Sequence, residues 1–288
     1  MSDYYQKYTP SRFALLKNRF RWQIKPLPDN KPLINLALFI LTFASTWLML
    51  GAWYSVAIMI FLTAHEMGHY LMCRKYGVRA TLPFFIPFPF LNPFGTMGAF
   101  IQIKEHIPGK KALFDIGAAG PLSGFMVALP LVYFGIARSE IVPVIGAEQQ
   151  GFFLGESLLF KYIAYISIGH VPSGFDVSLH PLAYAGWVGL FVTALNLIPI
   201  GQLDGGHIFY SLFGRLAKKA TLVFLAGFAV LTVIYPGWGL LFLLLVLFGR
   251  HHPEPLDSIT PLDANRRLLG YIIFIIFLIS FTPVPFKF

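Results

Sequence analysis

Residues 33–73 read LINLALFILTFASTWLMLGAWYSVAIMIFLTAHEMGHYLMC, and this stretch decides the fold. No charged residue or histidine occurs between Lys31 and His65. A bilayer core takes about 20 such residues per helix. The stretch is therefore too long for one membrane span and long enough for two, and we divide it near Gly51 into spans over 33–50 and 54–73.

The composition of the whole chain agrees with a membrane protein. Of its 288 residues, 56% are hydrophobic and 12% are charged, whereas a typical soluble domain has about 25% charged residues. Similar apolar runs recur to the end of the chain, which excludes a secreted protein with a single anchor. The single cysteine, Cys73, excludes an intramolecular disulfide framework.

The remaining apolar runs predict further spans. They lie at 112–136, 181–199, 219–235, 237–249 and 268–283. The pair broken at Pro236-Gly237 is short, so it is a tilted hairpin or a partly re-entrant segment. The predicted fold class is an all-α polytopic membrane protein with about seven transmembrane helices and a short membrane-associated β segment.

Positive charges predict the orientation of these spans. In this scheme 19 of the 22 Lys and Arg residues fall on one side, which the positive-inside rule assigns to the cytoplasm. That side holds a basic N-terminal tail, 1–31, and the segment 76–110. The loop 138–180 on the other side carries four acidic residues, and Leu158–Ile168 within it is predicted to form a short helix on the membrane surface. The net charge of +9 thus reflects topology, and no nucleic-acid partner is expected.

The motif His65-Glu66-Met67-Gly68-His69 lies inside the second span. Positions i and i+4 of a helix share one face, so both imidazoles can bind one zinc ion while Glu66 stays beside it. Buried ionisable groups are costly in hydrocarbon, which favours a functional site. The structural alternative is that the histidines only cross-link helices by hydrogen bonds. We expect one zinc ion per chain.

A catalytic zinc ion usually takes three protein ligands and keeps a fourth position for water. Asp204 is the candidate for the third ligand, because it follows a later span that returns to the side of the metal motif. Pro199 and the glycines around it break helical geometry, which allows a carboxylate to turn inward. The alternative is that Asp204 caps the next short helix.

Three other polar residues are set aside as ligands. His207 follows Asp204 by three residues, a spacing that favours a supporting or packing role. Cys73 shares the face of His69, but a further ligand would close the site to water. Asp115, which falls in the first turn of the span 112–136, suits the helix dipole better than a metal ion.

Two segments are predicted to lie near the site. The run LPFFIPFPF at 82–90 has too many prolines for a helix, and it is expected to dip into the membrane beside protein. Residues 98–103 are predicted to form a strand whose edge could receive an extended substrate; a lipid-facing loop is the alternative. The span 112–136 has a small-residue face that permits close contact with the metal motif. Its members are Gly117, Gly120 and Gly124.

The motif at 65–69, together with Asn196-x-x-Pro199-x-x-x-Leu203-Asp204-Gly205, resembles the site-2 protease family of intramembrane zinc metalloproteases. An intervening span separates the two motifs, as in that family. The resemblance runs from about residue 55 to the end, and it is closest to bacterial and plastid members. Other stretches that carry it are GTMGA at 95–99, GAAGPL at 117–122, His252-Pro253, Leu262-Asp263, Arg267 and Thr282-Pro283. We expect no PDZ insertion and no C-terminal regulatory domain.

The resemblance implies roles for five residues. His65, His69 and Asp204 would be zinc ligands, Glu66 the catalytic base and Asn196 an active-site polar residue. It also implies a membrane-embedded protease domain over 32–288, with a core over about 54–215.

The implied reaction is hydrolysis of peptide bonds within or beside transmembrane segments. Implied substrates are membrane-anchored regulators or signal-peptide remnants, the implied location is a bacterial cell membrane, and the oligomeric state stays open.

Two other functions use the same residues. A zinc-binding membrane sensor, a transporter or an inactive homologue would keep the ligands, but a structural site has no need of Glu66. A transporter should also show more ionisable groups along a pathway. An HExxH protease of the prenyl-protein type would need a glutamate as third ligand, and no inward-facing one follows on a later span.

Overall fold

The structure is a computed structural model that describes residues 31–144, 153–214, 216–249 and 255–287. Most of these residues are helical, as predicted. Residues 1–30 of the predicted basic tail lie outside the described residues, and so does the dipeptide His252-Pro253.

The described residues form eight α-helices and one short 3₁₀ turn. The helices are α1 (Pro32–Lys75), α2 (Lys110–Ile136), α3 (Leu158–Ile168), α4 (Pro181–Asn196), α5 (Asp204–Phe213), α6 (Leu216–Ile234), α7 (Gly239–Phe248) and α8 (Ala264–Ser280). Each predicted span overlaps a helix, and the short helix over Leu158–Ile168 has the predicted bounds. Among the described helices, α1 and α2 are long and apolar enough to cross a membrane.

The chain reverses direction at Gly51, inside α1. Gly51 has φ 79° and ψ 174°, a conformation that essentially only glycine adopts. Ser55 Oγ donates a hydrogen bond to the carbonyl oxygen of Phe43 at 2.9 Å. A straight helix would place these two residues about 18 Å apart, so the halves of α1 form an antiparallel hairpin. The division near Gly51 is confirmed, and we call residues 52–75 the metal helix.

The later part of the span scheme is not confirmed. Helix α7 has 10 residues, which gives a length of about 15 Å, half of a hydrocarbon core of about 30 Å. The segment proposed at 237–249, as one of a short pair, thus forms a helix shorter than the bilayer, because the 3₁₀ turn Pro236–Trp238 takes its first residues. Seven membrane-crossing helices are therefore not established.

The described strands form three two-stranded antiparallel sheets. They pair β1 (Phe84–Pro87) with β2 (Thr96–Phe100), β3 (Glu140–Pro143) with β5 (Phe175–Ser178) and β4 (Phe153–Leu154) with β6 (Phe286–Lys287). The sequence reading missed the second and third sheets, because two- to four-residue strands take their stability from a distant partner and carry no pattern of their own.

The hairpin of β1 and β2 lies beside the first half of α1. Asn35 Nδ2 donates to the carbonyl oxygen of Pro83 at 2.8 Å, which holds the proline-rich run against the helix. This run is non-helical, as predicted. The strand, however, covers 96–100 instead of the predicted 98–103, because its register follows its pairing with β1, in which Phe85 faces Ala99.

The core lies where α1, α2 and α4 pack together. Tyr54, Phe61 and Trp187 are among its largest fully buried side chains. Large apolar side chains point outward on the peripheral helices, such as Val233, which is 83% exposed, and Leu240, which is 71% exposed. Such a surface suits a lipid environment, whereas soluble proteins rarely expose large apolar patches.

Candidate metal centre

The metal helix carries three ionisable side chains into the core. His65, Glu66 and His69 are 3%, 6% and 8% exposed. The four-residue spacing puts both imidazoles on one helical face, and their Nε2 atoms lie 3.2 Å apart. The two histidines therefore point at the same small volume.

Asp204 reaches this volume from a separate helix. Its Oδ2 atom lies 3.4 Å from His65 Nε2 and 3.2 Å from His69 Nε2. Asp204 is the first residue of α5, and no side chain caps that helix. The sequence left two roles open for Asp204, capping of the next helix and binding of the metal ion. In the structure Asp204 faces the two histidines.

A tight turn between α4 and α5 places Asp204. Asn196 ends α4, and the chain turns over the next seven residues before α5 begins. A Cβ atom at Gly205 would overlap the carbonyl oxygen of Leu197. Glycine at this position is what lets the start of α5 lie against the end of the turn.

The geometry of the three side chains fits a metal ion. One nitrogen from each histidine and one carboxylate oxygen lie within 4.8 Å of one another. A tetrahedral zinc ion with bonds of about 2.0–2.1 Å holds its ligand atoms roughly 3.3 Å apart, close to the observed 3.2–3.4 Å. Lone pairs this close repel each other unless a proton or a cation lies between them. Two imidazoles and one carboxylate are also a donor set that zinc prefers.

The second ring nitrogen of His69 fixes which nitrogen faces the site. His69 Nδ1 lies 2.8 Å from the carbonyl oxygen of Ile116 in α2. A carbonyl only accepts hydrogen bonds, so Nδ1 carries the proton and Nε2 keeps its lone pair. This arrangement is common for metal-binding histidines.

Helix α2 packs against the metal helix through small residues, as predicted. A Cβ atom at Gly120 would overlap the imidazole of His69, and one at Gly124 would lie 3.2 Å from His65 Nδ1. Ser123 Oγ donates to the carbonyl oxygen of Ala64 at 2.8 Å. The face of α2 that carries these residues thus leaves room for both imidazoles.

Glu66 and Asn196 border the three donor atoms. Asn196 Nδ2 lies 3.3 Å from His65 Nε2. The carboxylate of Glu66 lies near the backbone N–H of Ile101, just after β2. The roles of catalytic base for Glu66 and active-site polar residue for Asn196 remain predictions.

The residues set aside from the sequence lie outside the donor set in the described part of the chain. Cys73 is buried among apolar side chains. The Cβ of His207 packs against Gly117 of α2. Asp115 lies in the second turn of α2, which begins at Lys110, and forms an ion pair with Arg266 of α8. The expected helix-dipole role of Asp115 is therefore secondary to this ion pair.

Sequence reasoning missed the groups that support the site. The carbonyl of Ile116 and the N–H of Ile101 belong to the backbone, and no residue type indicates them. Arg266 was missed because its partner lies 151 residues away. From the sequence, Arg266 indicated only membrane orientation.

The fold is helical, and its interior holds two histidines and one aspartate next to a glutamate. These features define a class, helical proteins with a buried metal site. Residues 53–234 match the family model described as Peptidase family M50, and the chain belongs to this family.

Chloroplast proteins are among the similar sequences. "Probable zinc metalloprotease EGY2, chloroplastic" from Arabidopsis thaliana is 33% identical over 235 residues, which are 79% of this chain and 41% of that protein. "Probable zinc metalloprotease EGY1, chloroplastic" from Oryza sativa subsp. japonica is 34% identical over 238 residues, 77% of this chain and 38% of that protein. The chain thus spans less than half the length of these curated relatives.

Proposed function

We propose that the chain is an intramembrane zinc metalloprotease that hydrolyses peptide bonds within or beside transmembrane segments. The observation that carries the proposal is the convergence of His65, His69 and Asp204 in the core, with Glu66 beside them. Family membership and the names of the relatives support it.

His65, His69 and Asp204 would hold the zinc ion. Zinc bound there would polarise the scissile carbonyl and lower the pKa of a water molecule towards about 7. The three protein ligands leave a fourth position for a reacting group.

Glu66 would move the proton. We assign it the role of general base, which takes a proton from the attacking water and passes it to the leaving amine. Asp204 is the proposed third ligand, so the carboxylate of Glu66 would stay free to move the proton. The N–H of Ile101 would hold the carboxylate in place.

Asn196 and β2 would position the substrate. The side-chain amide of Asn196 is a donor close to the site, so it could bind the carbonyl oxygen of the scissile bond. A transmembrane helix hides its carbonyl groups in hydrogen bonds, and it must unwind before attack. The unwound segment could add to the edge of β2, which pairs with β1 on its other side.

The membrane arrangement belongs to the same proposal. A multi-pass domain over 32–288 with its core at about 54–215 would have the N-terminus and the segment 76–110 in the cytoplasm. Substrates would be transmembrane proteins, such as membrane-anchored regulators. Chloroplast location is a property named for the relatives, and a bacterial location for this chain remains a prediction.

One experiment separates peptide hydrolysis from metal binding alone. Glu66→Gln should keep zinc, while cleavage of a single-span reporter by reconstituted protein falls by about 10²-fold or more, the effect of losing a general base. Asp204→Asn is the matched comparison, because it weakens a charged ligand and should lower zinc content and cleavage together.

Zinc and cleavage are measured on the same samples of wild type and both variants. Equal cleavage by wild type and Glu66→Gln would refute the assigned mechanism. Full zinc binding with no cleavage by wild type would favour the sensor or inactive homologue instead.

A further inference from the structure

Asp115, at the end of α2 near the metal centre, forms a cluster with residues of two other elements. Arg266 binds its carboxylate in a bidentate manner, with Nε 2.8 Å from Oδ1 and Nη2 2.7 Å from Oδ2. The hydroxyl of Tyr76 donates to Oδ2 at 2.5 Å. Burial, together with the neighbouring Asp115, raises the pKa of Tyr76 to about 12, so its phenol stays a donor.

Arg266 is itself held in one orientation. Asp263 is the N-cap of α8 and accepts from the backbone N–H of Arg266 at 3.1 Å. Its other carboxylate oxygen accepts from Nη1 of the same arginine. The side chains of Asp115 and Arg266 are 13% and 27% exposed, so the pair is largely shielded from water.

The cluster ties three elements together. Tyr76 directly follows the metal helix, Asp115 lies in the second turn of α2, and Arg266 lies in the first turn of α8. Helix α8 lies beyond residues 53–234, the part that matches the family model. A segment outside the matched region thus contacts α2 and the residue that directly follows the metal helix.

The contacts of α2 with the metal centre begin one residue after Asp115. The carbonyl of Ile116 binds His69 Nδ1 at 2.8 Å. A Cβ at Gly117 would lie 3.3 Å from the carbonyl oxygen of Asp204, and Gly120 lies against the imidazole of His69. The position of α2 along the metal helix therefore decides where the carbonyl that orients His69 lies.

We infer that Asp115 and Arg266 are positioning residues, which hold α2 so that the Ile116 carbonyl keeps the Nε2 atom of His69 directed at the metal. The inference rests on the proposed metal site. A bidentate guanidinium and carboxylate pair restricts both distance and direction, and partners that orient a metal-binding histidine contribute to metal affinity.

The test measures metal binding by the full chain in detergent. Arg266→Gln and Asp115→Asn are expected to weaken zinc affinity by roughly 10- to 100-fold, as measured by competition with a chelator. The visible absorption of the cobalt-substituted protein should change as well, because it reports the geometry of the ligands. If the ion pair only stabilises the fold and does not position α2, its loss would lower the melting temperature and leave the cobalt spectrum unchanged.

Two further variants complete the design. Arg266→Lys keeps the charge but loses the bidentate geometry, so a smaller loss of affinity is expected. Arg267→Gln is the control: Arg267 is the exposed neighbour, and its loss should leave zinc affinity unchanged.

Unchanged affinity and an unchanged cobalt spectrum in Arg266→Gln and Asp115→Asn overturn the inference. If these variants do not fold, Arg266→Lys becomes the deciding variant, because it leaves no unpaired buried charge. Wild-type zinc affinity and a wild-type cobalt spectrum in Arg266→Lys would also overturn the inference.

A wild type that binds no zinc removes the proposed metal site and this inference with it. A wild type that binds zinc without cleaving a reporter removes only the protease assignment, and the affinity comparison still applies.

Discussion

The imidazole of His69 occupies space that glycine at position 120 leaves open. A Cβ atom at Gly120 would overlap the imidazole ring itself, at Nε2 and at both carbons bonded to it. The ring cannot retreat easily, because its Nδ1 atom is bound to the Ile116 carbonyl. Close packing of α2 and orientation of His69 thus depend on the same glycine.

We predict that Gly120→Ala removes zinc binding. The added methyl group must displace the imidazole or push α2 away, and either change separates the ligand atoms. Zinc content of the purified variant, measured by atomic absorption, should fall well below that of wild type.

Gly227→Ala is the matched control for this prediction. Gly227 is also a helical glycine, but a Cβ there meets nothing within 4 Å. The variant should keep its zinc and become more stable by about 0.4–1 kcal/mol, through reduced entropy of the unfolded chain. Full zinc content in Gly120→Ala would contradict the steric argument.

At the scale of elements, the end of β2 lies beside the metal helix. The strand ends at Phe100, and the backbone N–H of the next residue, Ile101, lies near the carboxylate of Glu66. An extended segment paired with the edge of β2 would therefore run past the proposed base. The side chain of Met97, which is 59% exposed, lies on this strand.

We predict that Met97→Glu weakens substrate binding and spares the metal. A charge on an edge strand disfavours addition of another strand, and loss of one cross-strand pair worth about 1 kcal/mol corresponds to roughly fivefold in KM. Steady-state cleavage of a reporter should show the higher KM with unchanged zinc content, and Met97→Leu should behave as wild type. An unchanged KM in Met97→Glu would argue against strand addition.

At the scale of the whole molecule, α2 connects the two ends of the helical core. Its 27 residues extend over about 40 Å, enough to cross a bilayer. Lys111 lies at its start and Glu140 just beyond its end, and both are exposed. These two positions are therefore expected to lie on opposite sides of the membrane.

We predict that Glu140→Cys reacts with a membrane-impermeant thiol reagent in intact cells, and Lys111→Cys does not. The reason is the distribution of positive charge, which assigns the segment 76–110 to the cytoplasm. Both variants are made in a Cys73→Ser background, and permeabilised cells show that Lys111→Cys can react. Labelling of Lys111→Cys alone in intact cells would reverse the topology.

Patterns among residues close together in the sequence predicted most of the helices and the pair of histidines in the site. The uncharged run before His65 and the spacing of His65 and His69 need only helix periodicity and the cost of burying polar groups. The break at Gly51 was located because the apolar run exceeds one bilayer thickness. The bounds of β2 were misplaced, at 98–103 instead of 96–100, because a partner strand sets them.

The sequence alone determined the helical class, the positions of most helices and the two histidines on one face, since these properties depend on neighbours along the chain. Only the tertiary structure decided that Asp204 faces the histidines instead of capping α5, that the Ile116 carbonyl orients His69, and that Arg266 pairs with Asp115. Those contacts join residues far apart in the chain or use backbone atoms that every residue shares. They exist because α2 packs closely on the metal helix and the turn before α5 is tight, and no local pattern contains that packing.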